Sequence, residues 1–431
     1  MKEFTERIKK ASEKIKNFDN AVLIVSHIDT DGITSAAIMA SILIEWEKDF
    51  QITFIKEINE ENVKQIIERG NELIIFTDIG SGYLDVLSKI NADMIILDHH
   101  ETVGEEADNM IVVNPVDYEL EFSGSGTVYM LAKQMLKHDK LDRLAPLAIV
   151  GTIGDVSYPT DSKLFETSFV ESERGLKIYG RYSRPLHQAL RYLKILKLSD
   201  SSKALQFLSE IGINPQENGA WRTFENLTDE EKKKLTDAVV KETLKEGNYE
   251  VEKIFGDILT LKGFPEELRD AKEFATILNA CANMNDPAVG VALCLGSQKA
   301  LANAKGLHRG YKRLIAKYMN WVRDNPQSLR QTETATYIVA QDNINENLIG
   351  TIVSMLYNAS GKVLVGLAYG DNGVKVSVRS KNIDIHETVL KAAEVCGGKG
   401  GGHSFAAGAK IPFETEHKFI DCFEEELRKN L

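Results

Sequence analysis

The sequence predicts an α/β protein with three parts: a parallel-sheet domain over residues 1–185, a mostly helical inserted or bridging region over 186–330, and a small α/β domain over 331–431. In the first part, short continuous apolar runs alternate with helical patterns, as in a parallel sheet covered on both faces. The middle part is rich in lysine and glutamate in helical patterns. In the last part, strand patterns flank Asp371–Gly373, which is a hairpin turn signal.

Five apolar runs of the first part are the predicted strands. They are Ala21–Val25, Ile52–Ile55, Leu73–Thr77, Met94–Leu97 and Ile111–Val113. A helix is expected after the first run, from about Thr34 to Glu47. Right-handed crossovers place the carboxyl ends of parallel strands along one edge, and ligands bind in the crevice outside that edge. Polar groups that directly follow these runs are therefore predicted to form a site.

The composition is that of an ordinary globular protein, with 43% hydrophobic and 27% charged residues. A net charge of −12 argues mildly against tight, non-specific binding of duplex nucleic acid. It does not exclude a nuclease, because one local basic groove can hold a single strand. The four cysteines form no C-x-x-C pair, so we expect reduced thiols rather than a zinc site.

No segment of the sequence predicts a membrane protein. No apolar run reaches the length of about 18 residues that a spanning helix needs. The N-terminal segment has the pattern of a charged amphipathic helix and lacks the apolar core of a signal peptide. We therefore expect a cytoplasmic location.

Three potential ligands follow the first strand in the motif His27-x-Asp29-x-Asp31. Residues two apart in an extended segment point the same way, so these side chains are predicted to face one cavity. Gly32 is expected to permit the turn into the following helix. The alternative interpretation is an aspartate-rich turn that caps a helix.

Two further aspartates extend the set. Asp78 follows the predicted strand Leu73–Thr77, where a single aspartate is usually a cap or a turn former. Between two other groups of ligands, its carboxylate could instead bridge two cations about 3.5–4 Å apart. Asp155 ends the apolar helix pattern Leu144–Ile153, where a negative charge opposes the helix dipole unless a cation neutralises it.

Asp98-His99-His100 places an acid and two imidazoles at the end of the predicted strand Met94–Leu97. One imidazole can bind a metal while the other donates a hydrogen bond to a phosphate oxygen, and the acid can orient a ring. The alternative is a polar surface loop, which explains adjacent histidines after an apolar strand poorly. The histidines and carboxylates together predict a two-metal centre for cleaving phosphate esters.

The segment Gly397–His403 reads GGKGGGH. Its glycines would let backbone N–H groups approach an anion closely, and His403 could donate to a phosphate, although the run lacks the ending of a P-loop. The alternative is a flexible turn. Arg379, after the strand pattern Val374–Val378, is a second candidate phosphate ligand. Arg181, Arg184 and the helix-like stretch His308–Arg313 are the local basic candidates for nucleic-acid contact.

The order HxDxDG, DxG, DHH, Asp and a distal GGGH resembles the DHH phosphoesterase superfamily, in its branch with a DHHA1 domain. The resemblance covers about Ala21–Asp155 and Thr336–Pro412, and the segments Ile111–Pro115 and Gly124–Gly126 also fit this branch. The layout is most similar to archaeal RecJ-like proteins, some of which associate with the GINS replication complex.

The resemblance implies a role for each motif. One metal would be held by His27, Asp29 and Asp78, and the second by Asp31, Asp78, His99 and Asp155. Asp98 would support the histidine ligand, and His100 would contact the scissile phosphate. The substrate-binding residues would be Arg379, Gly400, Gly401, Gly402 and His403. Mixed histidine and carboxylate ligands favour two Mn²⁺ ions, with Mg²⁺ as the alternative.

The expected function is an exonuclease that acts on single-stranded DNA or RNA, releases nucleoside monophosphates and serves DNA repair or replication. A phosphodiesterase for short oligonucleotides or cyclic dinucleotides would need the same centre, but a short pocket instead of a long channel. A third possibility is a scaffold that binds the GINS replication complex through the helical middle region.

Overall fold

The computed structural model describes residues 2–155, 167–245, 251–357 and 363–429. Contacts divide the chain into two compact units, Met1–Leu307 and His308–Leu431. The three-part division at residues 185 and 330 stays a prediction. Within the described ranges, no helix is both long and apolar enough to cross a membrane.

The first unit contains a five-stranded parallel sheet. Its strands are β1 (Val22–His27), β2 (Phe50–Ile55), β3 (Leu73–Thr77), β4 (Asp93–Leu97) and β5 (Met110–Val113). Their order is β2-β1-β3-β4-β5, so the chain leaves β1 toward one edge and β3 toward the other. The predicted parallel sheet is confirmed, and every predicted run overlaps an observed strand.

Helices cover both faces of this sheet. They are α1 (Lys2–Lys16), α2 (Thr30–Glu45), α3 (Glu60–Glu68), α4 (Leu84–Leu87), α5 (Gly124–Met135), α6 (His138–Leu141) and α7 (Ala145–Gly154). Ile24 and Ile75 join an apolar cluster with residues of α2, α5 and α7. Leu23 and Phe76 join a second cluster with residues of α3 and α4. Strands buried on both faces explain why the sequence shows continuous apolar runs instead of alternation.

The middle region is mainly helical, as predicted. Its helices are α8 (Leu186–Ala189), α9 (Ser201–Glu210), α10 (Asp229–Lys245), α11 (Ala271–Asn283), α12 (Pro287–Cys294) and α13 (Gln298–Asp324). Two antiparallel pairs were not predicted: β6 (Val170–Leu176) with β9 (Phe255–Leu261), and β7 (Gln216–Glu217) with β8 (Ala220–Trp221). The sequence VESERGL of β6 is polar and largely exposed, so it carries no apolar strand signal.

The second unit contains a mixed six-stranded sheet of order β10-β11-β12-β13-β15-β14. The strands are β10 (Leu329–Gln331), β11 (Ala335–Gln341), β12 (Val363–Gly370), β13 (Gly373–Arg379), β14 (Lys399–His403) and β15 (Ala406–Ile411). The helices are α14 (Glu346–Tyr357), α15 (His386–Val395) and α16 (Glu416–Lys429). The predicted hairpin joins β12 to β13, and Gly373 there has a φ of 132°, which favours glycine.

A buried carboxylate fastens α16 to this sheet. Glu424 is 5% exposed, and its Oε1 accepts hydrogen bonds from Thr332 Oγ1 (2.6 Å) and Tyr337 Oη (2.8 Å). Its Oε2 accepts a hydrogen bond of 2.6 Å from Thr334 Oγ1 and lies 3.5 Å from the guanidinium Nη2 of Arg428. Burial opposes ionisation of Glu424, but these hydroxyl donors and Arg428 lower its pKa below the usual value.

We expect Glu424→Gln to destabilise the chain by about 1.5–3 kcal/mol at pH 7, since charge-assisted hydrogen bonds are lost. Because the folded-state pKa is lowered, the stabilisation is present above the unfolded pKa of about 4.3 and is lost as the pH falls through the folded value. Urea unfolding from pH 7 to pH 3 measures both effects. An equal loss of stability with acid in the variant and the parent would contradict this role.

Candidate metal centre

The first motif lies at the junction of β1 and α2, and its geometry differs from the predicted extended segment. His27 ends β1, but α2 begins at Thr30 instead of about Thr34, so Asp31 lies in the first helical turn. Asp29 is the N-cap, and its Oδ1 accepts a hydrogen bond of 2.8 Å from Gly32 N–H. The predicted extended segment from His27 to Asp31 is therefore wrong. The strand-to-helix turn nevertheless brings all three side chains to the carboxyl edge of the sheet.

Gly32 is needed for close packing and not for a turn. It lies inside α2, and a Cβ atom there would be 2.0 Å from the carbonyl oxygen of His27. Ser26 Oγ also donates a hydrogen bond of 2.8 Å to Gly32 O, which ties the helix to the strand end. Glycine thus allows α2 to start directly against β1.

Asp78 follows β3, the neighbour of β1, where the chain leaves the two strands toward opposite edges of the sheet. This point is the usual ligand crevice of an open α/β sheet. Asp78 has a φ of 60°, in the left-handed region that aspartate tolerates better than most residues. Its N–H donates a hydrogen bond of 2.9 Å to Leu97 O, so its backbone still bonds to the end of β4.

The two imidazoles of the DHH turn have different partners. His99 Nε2 lies 3.2 Å from Asp78 Oδ1, 3.8 Å from Asp155 Oδ2 and 3.9 Å from Asp31 Oδ2. His100 Nδ1 lies 2.8 Å from Asp98 Oδ1. His99 therefore faces the other potential ligands, whereas the ring of His100 is held by Asp98.

Asp98 supports the turn and the ring of His100. Its Oδ2 accepts a hydrogen bond of 2.8 Å from Ser81 N–H, and its Oδ1 accepts one of 2.8 Å from His99 N–H. Burial opposes ionisation, but hydrogen bonding to His100 and Ser81 lowers the pKa of Asp98 to about 2. The same bond to Asp98 raises the pKa of His100. From the sequence, Asp98 was expected to support the metal-binding histidine. In the structure, the imidazole ring that Asp98 contacts is that of His100.

The N-terminus of α5 holds the carboxylate of Asp31. Oδ1 accepts hydrogen bonds of 3.1 Å from both Ser125 N–H and Ser123 Oγ, and Oδ2 accepts one of 2.7 Å from Gly124 N–H. The positive end of a helix favours a carboxylate. These donors were not predicted, although Ser123 before two glycines is an N-cap signal.

The predicted ligands converge in two groups. Potential ligand atoms lie within 4.8 Å of one another in the set His27, Asp29 and Asp78, and again in the set Asp31, His99 and Asp155. Asp78 adjoins both sets, because its Oδ1 is 3.2 Å from His99 Nε2 and its Oδ2 is 3.6 Å from His27 Nδ1. Asp155 caps the end of α7, as its position after an apolar helix predicted.

Four of these atoms are buried and form no hydrogen bond of good geometry within the described residues: His27 Nδ1, both carboxylate oxygens of Asp78 and His99 Nε2. They lie within ion-pair distance of one another or of Asp29, whose Oδ2 is 3.0 Å from His27 Nδ1. Buried polar atoms in proteins are normally satisfied, so this set suits ligands that the protein itself does not supply. Burial and the nearby charges of Asp31 and Asp29 raise the pKa of Asp78 to about 7. Despite burial, Asp78 and the neighbouring acids raise the pKa of His99 to about 10. The site therefore favours added positive charge, and its donors fit a divalent cation such as Mn²⁺.

We expect Gly124→Ala to weaken Mn²⁺ binding at this site. The new Cβ would lie 2.5 Å from Asp78 Oδ1, so the carboxylate must move, at a typical cost in stability of about 1–3 kcal/mol. Gly306→Ala is the control, because a Cβ at this position in α13 meets no atom within 4 Å. Calorimetric titration with Mn²⁺ and thermal unfolding measure the two effects. Equal Mn²⁺ affinity in both variants would show that this contact does not position Asp78.

The predicted substrate-binding residues lie in the second unit. Arg379 ends β13, where its Nε donates to Ser354 Oγ (2.9 Å) and its Nη1 to Val378 O (2.9 Å). Within the described residues no carboxylate pairs with this half-buried guanidinium, and burial lowers its pKa. A cation held without an acid is suited to an anionic ligand.

The glycine-rich segment is a strand and not a flexible turn. Gly400, Gly401 and Gly402 belong to β14, at the edge of the sheet, and pair with β15. A Cβ at Gly401 would meet no atom within 4 Å, so one side of the backbone is open. The structure does not describe the side chain of His403.

Family models match three segments of this architecture. The DHH family N-terminal domain matches residues 21–152, the DHH-CID domain matches 178–255 and the DHHA1 domain matches 334–429. The chain is a DHH/DHHA1 protein. The DHH match contains every proposed metal ligand except Asp155, and the DHHA1 match contains Arg379 and the glycine-rich strand.

Two relatives share this organisation to different extents. An uncharacterized protein of Methanocaldococcus jannaschii is 28% identical over 100% of this chain and 99% of its own length. The single-stranded-DNA-specific exonuclease RecJ of Bacillus subtilis is 33% identical over 40% of this chain. That alignment spans only 23% of the bacterial protein.

Solved structures share the DHH/DHHA1 fold. RecJ of Thermus thermophilus in complex with Mn²⁺ matches with a TM-score of 0.61 and 18% identity, over 99% of this chain and 55% of that chain. CDC45 of Entamoeba histolytica matches with a TM-score of 0.63 and 12% identity, over 98% of this chain and 99% of that chain. At these identities the likeness concerns the fold. The DHH/DHHA1 chain is thus RecJ-like in architecture.

Proposed function

We propose that this DHH/DHHA1 protein is a divalent-metal-dependent phosphodiesterase that removes nucleoside monophosphates from the end of single-stranded DNA or RNA. The observation that carries the proposal is the group of four buried ligand atoms without hydrogen bonds, within the described residues, at the carboxyl edge of the parallel sheet. Histidine and carboxylate donors in two adjoining sets are the ligand types of two-metal hydrolases.

The two sets would each hold one cation. His27, Asp29 and Asp78 would hold the first, and Asp31, Asp78, His99 and Asp155 the second. Asp78 is suited to serve both, because its two oxygens point to different histidines. Bound cations would activate water and stabilise the charge that develops on the phosphate. Mn²⁺ suits this mixed donor set better than Mg²⁺, which prefers oxygen ligands.

His100 is proposed to hold the scissile phosphate. Asp98 fixes Nδ1, which leaves Nε2 to donate a hydrogen bond, and the raised pKa of the imidazole favours its cationic form. The side chain is 53% exposed, so a ligand can reach it. Asp98 acts through His100 and through two backbone N–H donors, that of His99 in the turn and that of Ser81 after β3.

The second unit is proposed to bind the substrate strand. Arg379 offers a guanidinium without an acidic partner in the described residues, and Gly400, Gly401 and Gly402 offer an edge strand to the phosphate backbone. His403 is the remaining predicted phosphate ligand of this group. One relative, 33% identical over 40% of this chain, is named as a single-stranded-DNA-specific exonuclease, which supports this class of substrate. A structure of similar fold was solved with Mn²⁺, which supports the choice of metal.

We expect Asp78→Asn to lower Mn²⁺ affinity by at least about tenfold, because the loss of a ligand charge costs more than about 1.4 kcal/mol. Asp237→Asn, on α10 of the middle region, is the matched control. Isothermal titration calorimetry gives both affinity and stoichiometry. Unchanged binding in Asp78→Asn, or a single ion bound by the parent protein, would contradict the bridging role.

We expect His100→Gln to reduce kcat on a single-stranded oligonucleotide by about 10²–10³, because the amide cannot replace the cationic imidazole that Asp98 positions as a donor. Mn²⁺ affinity should remain unchanged: His100 is near Asp78 and His99, with which it could also form a ligand set, but its Nδ1 is held by Asp98 and it is not one of the proposed ligands. His138→Gln is the control, because that side chain is 87% exposed and pairs only with Asp142 among the described residues. A fall in metal affinity would assign His100 to the ligands instead.

Product analysis with Mn²⁺ tests the reaction itself. End-labelled DNA and RNA strands of graded length, with dinucleotides included, should yield monophosphates from long strands. Cleavage restricted to the shortest substrates would replace the proposal by an oligonucleotide or cyclic-dinucleotide phosphodiesterase. Metal binding without cleavage would favour the scaffold function and the GINS replication complex as partner.

A further inference from the structure

A second cluster of aromatic and basic side chains lies in the DHH-CID segment of the first unit. The guanidinium carbon of Arg184 lies 5.1 Å from the ring centre of Tyr179 and 5.0 Å from that of Tyr192. The two rings are 5.0 Å apart, and Arg184 Nη1 donates a hydrogen bond of 3.0 Å to Tyr192 Oη. The rings thus fix one guanidinium near the surface, and Tyr192 is 47% exposed.

Arg184 has its guanidinium near the surface, and it differs in this from Arg181, the other basic candidate of this segment. Arg181 is 2% exposed, and its guanidinium lies 2.8 Å from Glu225 and 3.3 Å from Glu173. Those acids neutralise its charge, so its role is structural. The structure therefore separates two arginines that the sequence left equivalent.

A surface cavity of 670 Å³ adjoins Arg184. Its polar and aromatic lining consists of Arg184, Gln188, Arg191, Tyr192, Ser199 and Ser201, and no carboxylate of the described residues lines it. Arg191 is exposed and donates to the carbonyl oxygen of Ser199 at 3.3 Å. Two guanidinium groups beside an open cavity are suited to an anionic ligand.

A third aromatic ring extends the cluster. Trp221 is 44% exposed, and its ring lies 4.3 Å from that of buried His187. His187 lies one helical turn before Arg191; burial and the charge of this arginine lower the pKa of the imidazole. The aromatic–arginine strip therefore consists of Tyr179, Arg184, Tyr192, Arg191 and Trp221.

Two acids near the strip, Asp200 and Glu273, accept hydrogen bonds from other groups of the protein. Asp200 accepts hydrogen bonds from Lys203 N–H (3.0 Å) and Ser199 Oγ (3.0 Å), as the N-cap of α9. Glu273 accepts a hydrogen bond of 2.6 Å from Gly180 N–H, on the buried side of Arg184. The strip is thus a local basic surface on a chain whose net charge is −12.

We propose that the aromatic–arginine strip binds single-stranded nucleic acid, separately from the metal centre. The exposed rings of Tyr192 and Trp221 offer stacking surfaces for bases, and Arg184 and Arg191 offer cations for the phosphates between them. This alternation of rings and guanidinium groups is the usual means of binding single strands without base-specific contacts. A duplex hides its bases from such rings, so the strip selects single strands.

The site goes beyond the proposed exonuclease function, because it would retain a strand whether or not the chain cleaves it. The experiment is therefore a binding measurement without divalent metal. Fluorescence anisotropy of labelled oligothymidylate and oligouridylate is recorded with the full-length protein in EDTA, over a series of salt concentrations. The DNA and RNA arms show whether the shared base and phosphate chemistry or the sugar determines binding.

We expect Tyr192→Leu and Trp221→Leu each to weaken binding by about 5- to 100-fold, the usual effect of losing one stacked base. Tyr192→Phe keeps the ring and should restore affinity to within about threefold of the parent. Arg191→Ala should reduce the slope of log Kd against log salt by about 0.7, as for one lost phosphate contact on a single strand. Arg323→Ala, an arginine whose side chain is 70% exposed on α13, is the control for non-specific charge.

Thermal unfolding establishes that each variant is folded, and Tyr192→Phe remains informative if a leucine variant is not. Absence of strand binding by the parent protein, or equal affinity in Tyr192→Leu, Arg191→Ala and Arg323→Ala, would overturn the proposal. Binding that depends on the strip in a protein without nuclease activity would leave this proposal standing and remove only the exonuclease function.

Discussion

The burial of the Asp78 carboxylate next to two other acids is the constraint on which the first unit depends. A buried charge without hydrogen bonds costs several kcal/mol, and neither oxygen of Asp78 receives one of good geometry within the described residues, although each lies near an imidazole. Burial first, and then repulsion by Asp31 and Asp29, raises the pKa of Asp78. Cations would offset both costs. The fold lowers the cost of placing the other two carboxylates here. Asp31 accepts three hydrogen bonds at the start of α5, and Asp29 is the N-cap of α2.

Close approach of helices to strand ends makes this concentration of charge possible. Glycine is required at each contact: a Cβ at Gly32 would meet β1, one at Gly124 would meet Asp78, and one at Gly151 would lie 2.5 Å from Asp31 Oδ1. Asp78 lies where the chain leaves β1 and β3 in opposite directions, and this divergence forms the crevice. The potential metal ligands and the sheet topology therefore both indicate the carboxyl edge of the sheet at Asp78.

The sequence predicts that these side chains lie close together because its signals are local. Apolar runs mark the strands, and His27, Asp78 and His99 directly follow them, so sheet topology alone brings these residues together. Details that depend on tertiary contacts were not predictable. The pairing of Asp98 with the ring of His100 depends on rotamers within one turn, and the polar strand β6 is formed by its partner β9. The aromatic–arginine strip joins residues up to 42 positions apart, from Tyr179 to Trp221, so no spacing in the sequence reveals it.

The left-handed backbone of Asp78 has a consequence for how this protein balances stability against activity. Asparagine occupies the same backbone region readily and carries no charge, so Asp78→Asn would relieve repulsion in the metal-free chain without adding strain. The metal-free variant should then melt at a higher temperature than the metal-free parent. Selection for rigidity alone would remove the aspartate. Under the proposed metal-binding role, the aspartate is retained for chemistry at the expense of thermal tolerance.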